Sequence, residues 1–198
     1  MRTISALLCA LLVPASLNAA TVDITVHSAN GKPIAGAVIM IDTPQKTTAP
    51  IHFTWGTEMS QQNIAFDPHV LIVPVGSTVT FPNRDKVRHH VYSFSKVKSF
   101  NLKLYGREKV PSVLFDKPGV VSLGCNIHDS MSGFILVVDA PYAVQTDADG
   151  HVQIMGVPAG GATIRLWHPS VRAAGNMLEQ AVTIAPTGFA MAYSVRGK

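Results

Sequence analysis

The apolar residues of this chain recur with the two-residue period of β-strands, and almost nowhere with the period of a helix. Residues 21–26 alternate strictly between polar and apolar side chains. Short runs rich in Val, Ile, Thr and Phe follow, separated by Gly, Pro, Asn and Asp. This pattern is typical of an all-β sandwich or barrel. Further strands are predicted at residues 37–41, 70–73, 78–81, 91–94, 113–115, 120–123, 134–138, 152–154 and 162–167.

Three stretches give a weaker indication of structure. Polar residues and proline become frequent from Pro44 to Gln62, which predicts a loop or linker. Residues 96–109 fit either a loop or a short helix, and residues 173–180 fit either a short helix or an irregular crossing.

Residues 1–19 have the pattern of a secretory signal peptide. A basic start, an apolar stretch at residues 4–13 and the small-residue motif Leu17-Asn18-Ala19 follow in order. The apolar stretch is too short for a permanent membrane anchor, and no other run predicts a membrane span. We expect cleavage after Ala19, or else after Ala20. The mature protein is then exported, to the periplasm if the source is a Gram-negative bacterium.

One short segment carries three side chains that bind soft metals. Cys125, His128 and Met131 follow one another at three-residue steps. Because Cys9 lies in the signal peptide, Cys125 is the only cysteine of the mature chain and has no partner for an internal disulfide. A free thiol is a liability in an oxidising compartment. The pattern therefore favours a metal-bound thiolate over an inert, buried cysteine.

A further ligand must come from another strand end, and His89 and His90 stand just before the strand predicted at residues 91–94. Adjacent residues of a strand point to opposite faces, so only one of these imidazoles can join Cys125. A thiolate, two imidazoles and a weak thioether form the ligand set of a blue, or type 1, copper site. The residues alone leave the choice between His89 and His90 open.

Other interpretations of these residues are weaker. Zinc accepts two imidazoles and a thiolate but has no use for a thioether at fixed spacing. Cys125 and His128 form a conceivable nucleophilic pair, yet no third residue is evident to orient the imidazole. A copper enzyme such as a nitrite reductase needs a second His-rich cluster, so no catalytic residue is assigned. The scattered histidines are interpreted as surface or capping residues: His27, His52, His69, His151 and His168.

The segment from Asn63 to Asp139 resembles the cupredoxins, the small blue-copper proteins. The Cys-x2-His-x2-Met spacing is most similar to that of the amicyanin-like members, whose ligand loop is short. The run Phe81-Pro82-Asn83-Arg84-Asp85, followed by His89-His90-Val91, is similar to the family's upstream His-Asn-Val step, although His90 replaces the usual Asn. The resemblance implies a Greek-key domain that binds one type 1 copper ion. The implied ligands are His89, Cys125, His128 and Met131.

The resemblance also implies a function. Residues 115–128 resemble part of exported plastocyanin-like proteins described as methylamine-utilisation proteins. We therefore expect a one-electron carrier with no enzymatic activity, acting in amine oxidation. Ile127, Phe134 and Phe81 are candidates for keeping water away from the metal. The alternatives are a copper storage or delivery protein without an electron-transfer role, and a purely adhesive or scaffolding β-sandwich.

Charge indicates what kind of partner such a protein has. Residues 84–117 hold nine Lys or Arg against three Asp or Glu, a net charge of +6, while the remainder is slightly acidic. These basic residues form either a solvated face or a docking surface for an acidic redox partner. Export and the lack of aromatic residues between the basic ones argue against nucleic acid. The basic side chains of interest are Lys96, Lys98, Lys103, Arg107 and Lys109.

The two ends of the chain resemble one further module, the transthyretin-type, carboxypeptidase-regulatory-like β-sandwich. Residues 30–38 are similar to its opening, and residues 146–150 and 157–160 to its later turns. This implies an accessory β-sandwich split by the copper domain. The alternative is two unrelated strand extensions of one larger sandwich. The expected organisation is a signal peptide at 1–19, N-terminal accessory strands and a linker at 20–58, a cupredoxin domain at 59–139 and C-terminal accessory strands at 140–198.

Overall fold

The computed structural model describes residues 19–44 and 56–196. Residues 1–18 of the predicted signal peptide and residues 45–55 of the predicted linker lie outside the described residues. No helix in the described part of the chain is long and apolar enough to cross a membrane.

The described residues form sixteen β-strands and one short 3-10 helix, which confirms the predicted all-β class. The strands are β1 (Ala19–Ser28), β2 (Val38–Asp42), β3 (Ser60–Gln62), β4 (Ala65–Asp67), β5 (Val70–Pro74), β6 (Ser77–Thr80), β7 (His89–Phe94), β8 (Ser99–Tyr105), β9 (Ser112–Phe115), β10 (Gly119–Cys125), β11 (Ser132–Val138), β12 (Tyr142–Gln145), β13 (His151–Pro158), β14 (Gly160–Trp167), β15 (Met177–Ile184) and β16 (Phe189–Val195). The 3-10 helix spans Ala174–Asn176.

Strands from the two ends of the chain share two sheets. One sheet has the order β13-β1-β16, and the other has the order β12-β2-β14-β15. Strict alternation in β1 directs Val22, Ile24 and Val26 into a hydrophobic core together with Ile39 and Ile164, and all five are almost completely buried. Both ends of the chain therefore contribute to one core. The transthyretin-like assignment and the four segment boundaries stay predictions.

The central strands form a five-stranded sheet with the order β5-β11-β10-β7-β8. The antiparallel pairs β6–β9 and β3–β4 are separate two-stranded sheets. A second core contains residues from all of these sheets, among them Phe66, Phe81, Val91, Phe115 and Ile135. Cys125 and Met131 belong to this same core. Two of the candidate ligands are thus part of the hydrophobic core of the central region.

A third hydrophobic cluster joins the central sheet to the strands from the chain ends. Leu136 and Ile72 of the central sheet pack with Met40 and Trp167 of the terminal strands. The ring of Phe134 meets that of Trp167 edge-on at a centroid distance of 5.2 Å. β11 is covered by one hydrophobic cluster on each of its two faces. This explains why its sequence is a nearly continuous apolar run.

The structure differs from the sequence-based expectation at the three weaker stretches. Residues 60–62 of the predicted linker form strand β3, and residues 99–105, half of the stretch 96–109, form strand β8 and not a helix or a loop. β8 is an edge strand whose exposed face carries polar residues, and a register shift against β7 breaks its alternation. Residues 173–180 combine the 3-10 turn with the start of β15.

Gly133 in β11 lies where a larger residue has no room. A Cβ added there would sit 2.9 Å from the Cβ of the buried Phe66. We predict that Gly133→Ala lowers the free energy of unfolding by about 1–3 kcal/mol, because the added methyl group overpacks the core around Phe66. The matched control is Gly161→Ala in β14, where an added Cβ meets nothing within 4 Å. That change should leave stability unchanged or raise it by up to about 1 kcal/mol. Urea unfolding followed by tryptophan fluorescence measures both; equal effects would contradict the prediction.

Candidate metal centre

The strand pairing brings the candidate ligands to one end of the central sheet. β10 is antiparallel to both β7 and β11, so its end lies beside the start of each neighbour. Cys125 ends β10 opposite Val91, and His89 begins β7 on the same inward face. The six-residue connection to β11 begins directly after Cys125. It contains His128 and ends with Met131.

Three donor side chains meet at this end. One ligand atom from each of His89, Cys125 and His128 lies within 4.8 Å of the others. His89 Nδ1 is 3.6 Å from Cys125 Sγ, and the two imidazole rings have a centroid distance of 5.2 Å. His89 and Cys125 are buried, whereas His128 is half-buried. This cluster is able to hold one metal ion.

An unsatisfied polar atom gives an independent reason to place an ion here. His128 Nδ1 is buried and has no hydrogen-bond partner. Buried ring nitrogens are normally hydrogen-bonded, and an orphaned one calls for an explanation. His128 also belongs to the cluster of thiol and imidazole donors. Binding of an ion by His128 would explain why this nitrogen has no hydrogen-bond partner. Nitrogen and sulfur donors of this kind suit copper and zinc.

Met131 is placed in the same environment as Cys125. Its side chain is only 2 % exposed and lies in the hydrophobic core that contains Cys125. The Met131 N–H donates to the His128 carbonyl at 2.9 Å, which closes a tight turn at the end of the loop. At the other end, the Asn126 N–H donates to the His90 carbonyl at 3.0 Å. The start of the loop is therefore bonded to β7, and its end is closed by a turn within the loop.

The two adjacent histidines point in opposite directions, as strand alternation requires. His89 is completely buried, and its ring faces Cys125. His90 is half-buried on the outer face, where its Nε2 lies 2.7 Å from Asn101 Oδ1. Of this pair, the structure brings His89 to the cluster and keeps His90 away from it.

Asp85 contacts the side of His89 that faces away from Cys125. Its Oδ2 lies 2.8 Å from His89 Nε2. Burial alone would raise the pKa of Asp85, but donation from the Ile64 N–H, from His89 and from the Asn63 N–H outweighs this effect and lowers it. Asp85 is therefore an ionised acceptor beside the candidate ligand.

A second buried polar group packs against the cluster. Tyr105 pairs with His89 across β7 and β8, and its hydroxyl lies 2.7 Å from Gln61 Oε1 and 2.9 Å from the Phe81 carbonyl. Burial raises the pKa of Tyr105, the Gln61 hydrogen bond opposes this rise, and the nearby Cys125 adds to it. The phenol therefore stays protonated and acts as a donor.

The three residues expected to exclude water from the site lie in three different environments. Phe81 is fully buried in the core that contains Cys125. Phe134 packs on the opposite side of the sheet, in the cluster with Trp167. The expectation for Phe134 is wrong because its side chain points to the face of β11 that packs against Trp167, away from Cys125. Ile127 is 49 % exposed and lies at the surface beside His128.

Several residues around the cluster were assigned no individual role from the sequence, although two of them belong to the run Phe81-Pro82-Asn83-Arg84-Asp85. They include Asp85, Tyr105 and Asn83, whose buried side-chain amide donates to the Val87 carbonyl at 2.8 Å. A signal existed for Asp85, an acid four residues before the histidine in an otherwise basic stretch. Tyr105 carried no such signal, because its contact with His89 depends on a strand that the sequence did not predict.

No family model and no curated protein matches the chain. Among solved structures, a purple cupredoxin from Nitrosopumilus maritimus is 24% identical with a TM-score of 0.39, over 42% of this chain and 100% of that one. An oxidised amicyanin mutant is 27% identical with a TM-score of 0.38, over 41% of this chain and 80% of that one.

A copper-containing nitrite reductase from Thermus scotoductus is also similar. It is 27% identical with a TM-score of 0.40, over 49% of this chain and only 25% of that chain. Each of these three similarities covers less than half of this chain. The first of these solved structures is named a cupredoxin, the family that residues 63–139 resemble.

The buried hydroxyl of Tyr105 provides a test of the polar network around the site. We predict that Tyr105→Phe lowers the free energy of unfolding by about 1–3 kcal/mol, because buried acceptors on Gln61 and Phe81 lose their donor. The control is Tyr142→Phe, whose hydroxyl donates to the Gly156 carbonyl at an exposed position. Water can replace that bond, so the change should stay within about 0.5 kcal/mol. Urea unfolding distinguishes the two, and a smaller loss for Tyr105→Phe than for the control would contradict the assignment.

Proposed function

We propose that this chain is an exported type 1 copper protein that carries one electron at a time. The observation that supports this most strongly is the convergence of His89, Cys125 and His128 donor atoms within 4.8 Å at one sheet end. We assign His89, Cys125, His128 and Met131 as the ligands of one copper ion. In this assignment Cys125 would provide a thiolate, His89 and His128 would provide imidazole nitrogens, and Met131 would provide a weak thioether.

The donor chemistry supports copper over other metals. Thiolate and thioether are soft ligands that suit the cuprous ion, while imidazole also suits the cupric ion. When bound, copper supplies one-electron redox chemistry by cycling between its +1 and +2 states. The chain contributes a nearly fixed ligand geometry, since His89 and Cys125 are buried in paired strands, the start of the loop is bonded to β7, and its end is closed by a turn. Little rearrangement is then needed when an electron moves.

His128 is the proposed point of electron entry and exit. It is half-buried, while the other two members of the cluster are buried. Its neighbour Ile127 exposes about half of its surface and offers an apolar contact for a partner. Small, weak contacts of this kind are usual for electron carriers, which must release their partners quickly.

We further propose an acidic redox partner. A groove of about 500 Å³ is lined by Arg84, Lys86 and Arg107 and reaches Asp85, which touches His89. Basic side chains close to the site would steer an acidic protein toward it. Periplasmic location and a role in amine oxidation belong to the same proposal. The predicted signal peptide supports the former, and only the resemblance stated above supports the latter.

Copper reconstitution tests the ligand assignment. The protein with added copper should develop an intense visible absorption that bleaches reversibly on reduction. Cys125→Ser should abolish the colour because the thiolate is lost. Met131→Ala should keep the colour and shift the reduction potential. The matched control is His90→Ala, which removes the outward-facing neighbour of His89 and should leave spectrum and potential unchanged.

The same experiment separates the competing functions. A colourless ion that is readily surrendered to a chelator would favour storage or delivery. Failure to retain copper at all would support a structural role for the sandwich. If Cys125→Ser binds and cycles copper like the parent protein, the ligand assignment is wrong.

The partner proposal predicts a salt-dependent rate. Oxidation of the reduced protein by hexacyanoferrate(III), an anion, should slow when ionic strength rises, since exposed charges are screened beyond about 10 Å at 0.1 M. Lys86→Glu, in the groove, should flatten this salt dependence. Lys32→Glu, an exposed change of the same charge near the start of the chain, should preserve most of it. Stopped-flow rates and measured potentials of all three proteins provide the comparison. If Lys32→Glu flattens the salt dependence as much as Lys86→Glu does, the rate depends only on the net charge of the protein, and the partner proposal is wrong.

A further inference from the structure

We propose that Asp85 is a positioning residue for the metal centre, and this proposal rests on the proposed function. Its carboxylate fixes the tautomer and orientation of His89. At the same time it anchors the turn between β3 and β4 beside that imidazole. Asp85 thus makes this hairpin a part of the metal site, although the hairpin contributes no ligand.

Three hydrogen bonds converge on the Asp85 carboxylate. Oδ1 accepts the Asn63 N–H at 2.7 Å, and Oδ2 accepts the Ile64 N–H at 3.0 Å. Oδ2 also lies 2.8 Å from His89 Nε2. The Asp85 side chain is 13% exposed, and that of His89 is fully buried. One oxygen atom therefore links the hairpin turn directly to the candidate ligand.

The turn has a backbone conformation that is unfavourable without such an anchor. Asn63 and Ile64 have φ angles of 56° and 57°. Two consecutive left-handed residues form the tight turns preferred by two-residue hairpins, where Asn-Gly is the usual sequence. A β-branched residue such as Ile64 is rarely found in this region. The two N–H groups that this conformation presents are the ones that Asp85 accepts.

The backbone of Asp85 is held as firmly as its side chain. Its N–H donates to Asn83 Oδ1 at 2.9 Å, and its carbonyl accepts from Arg107 Nε at 2.8 Å. Arg107 Nη2 also donates to the Arg84 carbonyl at 2.5 Å. Asn83 is buried, so the segment before β7 is fixed from within the core. The carboxylate has little freedom to move away from His89.

These contacts determine the state of the imidazole. An ionised carboxylate only accepts hydrogen bonds, so His89 Nε2 must carry the proton. In the neutral ring, Nδ1 then has a free lone pair, and Nδ1 is the atom that lies 3.6 Å from Cys125 Sγ. A carboxylate on the far nitrogen makes an imidazole a stronger donor and fixes its orientation. Its negative charge also favours the more highly charged metal ion.

Two substitutions separate the parts of this role. Asp85→Ala removes both the charge and the acceptor atoms, while Asp85→Asn keeps one acceptor oxygen without the charge. The control is Asp116→Asn, which removes an exposed carboxylate paired with Lys98. Circular dichroism establishes that each variant is folded before any other measurement.

The first measurement uses the apoprotein and does not depend on copper. Nitrogen NMR of His89 should show the Nε2–H tautomer in the parent protein and in Asp116→Asn. Asp85→Ala should lose this preference. Titration with Zn²⁺ as the probe should show a 10–100-fold loss of affinity for Asp85→Ala, the usual effect of removing such an outer partner. Asp85→Asn should lose less.

The second measurement is the reduction potential of the copper-loaded proteins. Both Asp85 variants should have a higher potential than the parent, because the cupric state loses a nearby negative charge. A tenfold change in the ratio of cupric to cuprous affinity corresponds to about 59 mV. Asp116→Asn should leave the potential unchanged.

The outcomes distinguish this proposal from the proposed function. If folded Asp85→Ala keeps the parent's tautomer and Zn²⁺ affinity, Asp85 is not a positioning residue, whatever copper does. If Asp85→Ala fails to fold, the folded Asp85→Asn variant decides through its potential, and an unchanged value refutes the proposal. A parent protein that binds Zn²⁺ with the stated tautomer but shows no reversible copper colour leaves Asp85 supported and overturns the electron-carrier function.

Discussion

The antiparallel register of β10 with its two neighbours is the constraint on which the site depends. Gly124 pairs with Tyr92 on one side and with Ser132 on the other. In this register the end of β10 lies next to the starts of β7 and β11, at one end of the sheet. A shift of one residue would turn Cys125 outward, because side chains in a strand alternate between faces. The burial of Val121 and Leu123 on the same face holds the register in place.

Much of this arrangement could be predicted from the sequence, because the strongest strands are short runs of alternating or continuous apolar residues. Cys125, His128 and Met131 lie close together by spacing alone, so their proximity did not depend on the tertiary fold. His89 required one step more, namely strand alternation. The structure places its ring at the cluster and that of His90 on the outer face. The ligand roles themselves stay a proposal.

The remaining parts of the site depend on contacts that leave little trace in the sequence. β8 is polar at its exposed face and irregular against β7, and for that reason the position of Tyr105 opposite His89 could not be foreseen. Strand β3 of the hairpin β3–β4 lies at the end of residues 44–62, whose polar composition predicted a loop or linker. The turn of this hairpin contains Ile64 instead of the usual glycine, so the ordinary hairpin signal was missing. Asp85 connects this hairpin to the site through backbone N–H groups, which no side-chain pattern reveals.

The pairing of the two chain ends also has a consequence for the order in which the protein folds. β1 pairs only with β13 and β16 among the named strands, and β2 pairs only with β12 and β14. All four partners come after residue 141, so a growing chain cannot complete either sheet until these later strands have been synthesised. The central strands β5 to β11 have their partners within their own stretch. The central strands β5 to β11 can therefore pair first. Until the later strands are available, β1 and β2 remain unpaired apolar segments that need protection from aggregation.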